Sequence, residues 1–156
     1  MSSHRFTKRL GMTALALALV AAWAVAQAAQ EQALARSAQD AQLQWGPCPP
    51  FMPSGCGLAV LHGDPAKPNA DVFLRLPANA VIAEHWHTSA ERMVLVAGEL
   101  SVTYKGQAKV VLKPGMYAYG PAKLPHSASC GGSASCVLFI AFESAVDAVP
   151  VAAPAK

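Results

Sequence analysis

The sequence has few charged residues, and neither sign is in excess once its N-terminus is set aside. Charged residues make up 13% of the 156 residues, and three of the twelve Lys and Arg lie within residues 1–26. The rest of the chain carries nine basic and nine acidic residues. No basic stripe interleaved with aromatic residues remains, which is the pattern typical of nucleic-acid binding. We therefore expect no nucleic-acid partner.

Long hydrophobic runs are absent except at the N-terminus. Residues 1–26 carry Arg5, Lys8 and Arg9, followed by an apolar run from Leu10 to Val25 and by small residues suited to cleavage. This order is typical of a secretory signal peptide. An uncleaved membrane anchor is the alternative, but the run is at the short limit of the ~17–25 residues that span a bilayer, and alanine drives insertion weakly. We expect a periplasmic or secreted protein with no stable membrane association after cleavage.

The four cysteines include no C-x2-C pair, the spacing typical of structural zinc sites. Cys48 and Cys56 bracket a Pro-rich loop, and Cys130 and Cys136 bracket a Gly/Ser-rich loop. Four cysteines allow three pairings, and the sequence does not choose among them. Because export favours oxidation, we predict local disulfides, Cys48–Cys56 and Cys130–Cys136, over a zinc site built from all four.

The chain shows no internal repeat, and from Trp45 onward short apolar runs alternate with Gly, Pro and Asn. Regular short strands separated by turn signals predict an all-β sandwich or barrel. We divide the sequence into a signal peptide (1–26), a linker or frayed helix (27–44), a barrel domain (45–144) and a disordered tail (145–156). The predicted strands are Gly57–His62, Asp71–Leu76, Val81–His87, Arg92–Ala97, Leu100–Tyr104, Lys109–Leu112, Met116–Tyr119, His126–Cys130 and Cys136–Phe142.

Histidines are scarce, and three of the four that follow the signal peptide belong to one pattern. His85 and His87 lie two residues apart on a predicted strand, so their side chains point to the same face. Glu91 follows a short turn with the same parity, and His126 begins another predicted strand. Imidazoles and a carboxylate converging inside a barrel suit a divalent metal ion. An empty polar pocket is the alternative, but four such groups are costly to bury without compensation.

These residues also resemble the two sequence motifs of the cupin family. Asn79–Gly98 follows the first motif, which is glycine, five residues, His-x-His, three or four residues, Glu, six residues and glycine. Gly115–Cys130 follows the second, which is glycine, five residues, Pro-x-Gly, two residues, His, three residues and asparagine. Asn79, Lys123 and Cys130 depart from the pattern. The chain is thus similar to a small single-domain cupin of the conserved-barrel type, which implies a double-stranded β-helix, or jelly-roll barrel.

The resemblance implies that His85, His87, Glu91 and His126 hold one divalent metal ion, with open positions for water or substrate. Nitrogen and oxygen ligands admit Fe, Mn, Ni, Co, Cu or Zn. A metal-dependent dioxygenase acting on a small molecule is the leading expectation, with Glu91 as a catalytic base. A non-catalytic metal- or ligand-binding or sensing barrel is the alternative, and a metal-free epimerase-like cupin is a third. Because small barrels expose sheet edges, we also expect a homodimer.

Strand parity assigns the remaining polar and apolar residues near the site. Met93 and Leu95 share the parity of the ligands and are expected to line the pocket. Arg75 either faces inward, where it could bind a substrate carboxylate, or lies outward along the sheet, which we favour. Tyr117 and Tyr119 are equally suited to offering hydroxyls to the pocket and to ordinary packing.

Overall fold

The computed structural model describes residues 31–152. The predicted signal peptide lies outside the described residues. Within them the chain forms strands and turns without any helix. The eleven strands of this part of the chain are β1 (Trp45–Pro47), β2 (Gly57–His62), β3 (Ala70–Leu76), β4 (Val81–Trp86), β5 (Glu91–Ala97), β6 (Leu100–Tyr104), β7 (Val110–Leu112), β8 (Tyr117–Gly120), β9 (His126–Cys130), β10 (Cys136–Phe142) and β11 (Val149–Pro150).

The strands form two antiparallel sheets that face each other across the core. One has six strands in the order β1-β2-β3-β10-β5-β8, and the other has five in the order β11-β4-β9-β6-β7. Neighbours in both sheets are far apart in sequence, as β10 beside β3 and β9 beside β4 illustrate. The all-β prediction is confirmed, and the topology is that of a jelly-roll barrel.

The hydrophobic pattern of each strand matches its place in the barrel. β6 alternates buried and half-buried residues along its five positions, as a strand with one face toward the core requires. β10 is an almost continuous apolar run, and it lies between β3 and β5 in the larger sheet. Its buried residues Leu138, Ile140 and Phe142 join the core cluster with Leu100 and Val102 of the opposite sheet.

Two short strands were missed by the sequence pattern. β1 pairs with β2, and β11 pairs with β4 through Val149 opposite Trp86 and Pro150 opposite His85. The prediction of a disordered tail from residue 145 is therefore wrong for residues 145–152. We call these residues the C-terminal strap. Backbone hydrogen bonds also attach it, from Val146 N–H to Pro65 O and from Val151 N–H to Glu84 O.

Both predicted disulfides are present. Cys48 is bonded to Cys56, Cys130 is bonded to Cys136, and the described residues contain no free cysteine. Cys130 and Cys136 are fully buried in the core cluster. The alternative of a four-cysteine zinc site is excluded by this pairing.

The two positions where the motif glycines are replaced keep the backbone that glycine would adopt. Asn79 has φ 60° and Lys123 has φ 62°, both in the left-handed region. Asn tolerates this region well, whereas lysine does not. The N–H of Lys123 donates to His87 O at 2.8 Å, so this turn connects the approach to β9 with the histidine motif.

Replacing Lys123 with glycine is expected to raise the free energy of unfolding by about 0.5–1 kcal/mol, because relief of left-handed strain exceeds the entropic cost of glycine. Urea unfolding of the disulfide-intact protein measures this change. Lys113 is a matched control, since it is also exposed but does not have a positive φ. Lys113→Gly should leave the stability unchanged or lower it, and a loss of stability in Lys123→Gly would contradict the prediction.

Candidate metal centre

The histidines of the predicted site come together between the two sheets. His85 lies near the end of β4, His87 just beyond it, and His126 at the start of β9. Antiparallel pairing of β4 with β9 places His85 opposite His126, with ring centroids 4.3 Å apart. The His87 ring lies 4.9 Å from His85 and 5.2 Å from His126. One ring nitrogen from each histidine lies within 4.8 Å of the other two, so the cluster can hold a metal ion.

The second ring nitrogen of each histidine contacts a backbone carbonyl. His85 Nδ1 lies 2.9 Å from Ala83 O, and His126 Nδ1 lies 3.1 Å from Leu124 O. His87 Nδ1 contacts Asp147 O of the C-terminal strap. A carbonyl oxygen only accepts hydrogen bonds, so each neutral ring carries its proton on Nδ1 and leaves the Nε2 lone pair free. This orientation is the one that holds metal-ligating histidines in place.

Glu91, the first residue of β5, approaches the same cluster from the six-stranded sheet. Its Oε1 lies 3.4 Å from His87 Nε2, and its Oε2 lies 3.6 Å from His126 Nε2. Glu91 is 3% exposed, and Oε2 has no hydrogen-bond partner. An orphaned carboxylate oxygen beside free imidazole nitrogens fits a cation that compensates their burial.

Burial shifts the pKa of all four groups in the direction that favours the neutral form. It lowers the pKa of His87 and of His126 to about 4, and it also lowers the pKa of His85. Burial raises the pKa of Glu91 to about 8. Without a metal ion at pH 7 the cluster is therefore three neutral imidazoles and a protonated carboxyl group. Neutral imidazoles are the form that binds metal.

A cavity of about 210 Å³ opens beside the cluster. The six-stranded sheet contributes Met93, Leu138 and Ile140 to its walls, and the five-stranded sheet contributes Ile82 and Val102. Met93 thus lines the pocket as predicted. The arrangement is a group of metal-directed nitrogens at the side of an apolar chamber.

Two segments outside the central strands also border the cavity. The first is the loop closed by the Cys48–Cys56 disulfide, which contributes Cys48, Pro49 and Met52. The second is the C-terminal strap, which contributes residues 146–148. Asp147 is attached at two points, since its backbone oxygen contacts His87 Nδ1 and its Oδ1 accepts the N–H of Thr88 at 2.8 Å.

Removing the strap is expected to weaken zinc binding about 10–100-fold, the loss typical when a ligand histidine loses its orienting partner. The variant is a chain that ends at residue 144, and competition titration with a zinc chelator measures the change. Asp147→Ala is the matched control, because it keeps the carbonyl that contacts His87 and removes only the side-chain contact with Thr88. Asp147→Ala should lose less than tenfold in zinc affinity. Equal affinity in the truncated and full chains would contradict this role of the strap.

Several other residues that the sequence offered as pocket residues do not line the cavity. Arg75 is exposed, and its guanidinium lies 4.3 Å from the centre of the Trp45 ring, so the outward orientation is the one observed. Tyr117 and Tyr119 are 57% and 49% exposed. Leu95 is fully buried but is not among the cavity residues.

Sequence reasoning missed a tyrosine beside the carboxylate. Tyr104 lies opposite His126 in the β6–β9 pairing, and its ring centroid is 5.1 Å from that of His126. Burial and the nearby Glu91 carboxylate raise the pKa of Tyr104. A Cβ atom on Gly120 would lie 3.1 Å from both Glu91 Oε2 and Tyr104 Oη. Glycine at 120 therefore leaves room for the two side chains.

Comparison with known proteins supports the same fold. Residues 72–142 match the cupin domain family, whereas the curated proteins contain no match. The DMSP lyase DddQ from Ruegeria pomeroyi has a TM-score of 0.61 and 18% identity, with 73% of this chain and 64% of that chain covered. The polyketide cyclase RemF from Streptomyces resistomycificus has a TM-score of 0.62 and 13% identity over 77% and 87% of the two chains. An RmlC-like cupin from Shewanella frigidimarina has a TM-score of 0.55 and 21% identity over 67% and 86%.

At these identities the likeness shows the fold alone, and the chain spans less than two thirds of the DMSP lyase chains it resembles. Antiparallel sheets around an internal histidine cluster define a jelly-roll barrel with a metal-type site. The chain carries a cupin-type domain, as the family match and the cupin structural neighbours show. Among residues 31–152, no helix is long and apolar enough to cross a membrane.

Proposed function

We propose that this protein is an exported, metal-dependent cupin that acts on a small molecule as a dioxygenase-type oxidoreductase. The observation that supports it best is the set of three oriented histidines and one buried carboxylate beside an apolar cavity. We assign His85, His87, Glu91 and His126 as the ligands of one divalent ion. When bound, that ion supplies Lewis acidity and open coordination positions for the reactants.

The residues of the chain have separate parts in this proposal. The backbone carbonyls that contact each Nδ1 hold the imidazoles in one tautomer and one orientation. Glu91 is the catalytic base, because its carboxylate borders the cavity beside the histidine cluster, where it could take and return a proton. Apolar walls exclude water from the reacting groups.

Export and self-association belong to the same proposal. The two disulfides suit an oxidising compartment, which supports the interpretation of residues 1–26 as a signal peptide and a periplasmic or secreted location. β8 ends the six-stranded sheet and carries the exposed Tyr117 and Tyr119, which suits edge pairing between two copies. Light scattering after size-exclusion chromatography tests the homodimer.

A non-catalytic metal- or ligand-binding barrel is the second candidate. It is favoured by the disulfide-closed loop and the strap, which border the cavity from both ends of the described chain. Such covering suits the retention of a ligand as well as its conversion. The two candidates predict the same metal site and differ only in turnover.

Metal analysis followed by oxygen-uptake measurements separates the candidates. The full chain is expressed with export, its metal content is determined, and oxygen consumption is measured over a panel of diols and small acids after loading with Fe, Mn, Ni, Co, Cu or Zn. His87→Ala should lose both metal and activity, and His62→Ala, an exposed residue outside the cavity, should keep both. Bound metal with no oxygen consumption favours the binding barrel. No metal binding in the wild type contradicts both.

A further inference from the structure

The walls of the cavity offer almost no polar partner beyond the metal cluster. Sixteen of the twenty-one lining residues are apolar or disulfide-bonded, and the others are the three histidines, Glu91 and Asp147. Among the described residues that line it there is no lysine, arginine, serine, threonine, asparagine or glutamine. An anionic group at the far end of a bound molecule would therefore be buried without a partner, which is strongly unfavourable.

Asp147 does not alter this conclusion. Its backbone oxygen contacts His87 Nδ1, and its Oδ1 accepts the Thr88 N–H. The backbone oxygen and Oδ1 are thus engaged with the histidine motif, and the carboxylate would repel a second anionic group rather than bind it. The one exposed arginine in an apolar strand, Arg75, lies against Trp45 and is not among the cavity residues.

The volume of the cavity limits the size of its ligand. Apolar cavities of about 150 Å³ lined by aliphatic and aromatic side chains hold one benzene molecule. Pockets for drug-sized ligands begin at about 300 Å³. A cavity of about 210 Å³ falls between these values, so it suits one ring with a small substituent or a chain of about six to eight heavy atoms.

From lining and volume together, we infer the class of ligand, on the basis of the proposed function above. The ligand has one oxygen-bearing end directed at the histidine cluster and a compact apolar body of about one ring in size. Molecules with a second anionic group remote from that end, such as dicarboxylates, are rejected because the walls supply no partner for it.

Matched ligands test this inference on the zinc-loaded full chain, since zinc permits binding without redox turnover. Pentanoate and glutarate have the same number of carbons and differ by a second carboxylate at the remote end. Calorimetry should show pentanoate binding at least tenfold more tightly than glutarate. Equal binding, or tighter binding of glutarate, would overturn the inference and leave the metal-dependent function intact.

Benzene provides a second measurement that needs no metal. It should bind the metal-free protein and shift the NMR methyl signal of Met93, which lines the cavity. Ile140→Phe, which narrows the cavity, should weaken benzene binding at least tenfold, and the milder Val102→Leu should weaken it in the same direction. Leu95→Met is the control, because Leu95 belongs to the core but not to the cavity walls.

The two measurements separate failure of the inference from failure of the proposed function. If zinc does not bind but benzene does, the proposed function fails and the apolar character of the chamber stands. If the metal binds but benzene does not, and glutarate equals pentanoate, the ligand class is wrong.

Discussion

Replacing His126 with alanine is expected to weaken zinc binding by more than a hundredfold. His126 contributes one of the three nitrogens of the cluster, and its Nε2 is one of the two that Glu91 approaches. Loss of only an orienting partner typically costs about 10–100-fold in metal affinity, so loss of a ligand atom should cost more. Competition with a chelator of known affinity measures the change.

The thermal stability of the same variant provides an independent measurement. Saturating zinc should raise the melting temperature of the wild type, because it binds the folded state. It should not raise that of His126→Ala. His62→Ala is the control and should behave as the wild type, since His62 is exposed and does not line the cavity. If His126→Ala kept the zinc-dependent rise, the histidine cluster would not be the metal site.

Lowering the pH from 8 to 6 is expected to weaken zinc binding by about fiftyfold, with the slope approaching tenfold per pH unit toward pH 6. In the metal-free protein burial raises the pKa of Glu91 to about 8, so below that pH the ion must displace one proton from its carboxyl group. His87 and His126 add no proton in this range, because burial lowers their pKa to about 4. Zinc titrations in buffers of different ionisation enthalpy measure both the affinity and the proton released.

Glu91→Gln is the matched control for this pH dependence. The amide has nearly the same shape and carries no titratable proton, so the variant should bind zinc more weakly at pH 8 but with nearly constant affinity down to pH 6. A wild-type affinity that is also constant over this range would contradict the displacement of a proton from Glu91 when zinc binds.

The stability of the metal-free protein should depend on pH through the same Glu91 proton. The raised pKa of Glu91 means that the folded state holds a proton that the unfolded state releases above its ordinary pKa of 4.5, so stability is lost as the pH rises through about 8. The lowered histidine pKa values act in the opposite direction, but only between 6.5 and about 4. Between pH 6.5 and 8 the melting temperature should therefore fall in the wild type and stay level in Glu91→Gln.

Most of the strands that could be predicted are those in which the pattern of apolar residues follows the pattern of buried positions. β2, β6 and β10 have the predicted bounds, since each has a clear alternation or a long apolar run between turn residues. β9 also has the predicted bounds, although its sequence HSASC has neither. β1 and β11 have three and two residues and both end in proline, so neither shows a period. Pairing with β2 and β4 creates these two strands, and that pairing is a tertiary contact.

The site was predictable where side chains have a fixed spacing in sequence. His85 and His87 share a strand face, and the motif spacing included Glu91 and His126. The contribution of Asp147 was not predictable, because a backbone carbonyl is independent of residue type. Tyr104 had a usable signal, since it shares the inward parity of Leu100 and Val102 along β6.

The Cys48–Cys56 loop and the C-terminal strap lie far apart in the sequence, and this separation affects when the site is completed during folding. The cavity is bordered by Cys48, Pro49 and Met52 toward one end of the described chain and by residues 146–148 toward the other. The contact between His87 and Asp147 joins residues 60 positions apart, and closing such a stretch of chain costs entropy. Until residue 147 is in place, His87 lacks this carbonyl partner. The proposed metal site is therefore complete only after the strap has paired with β4.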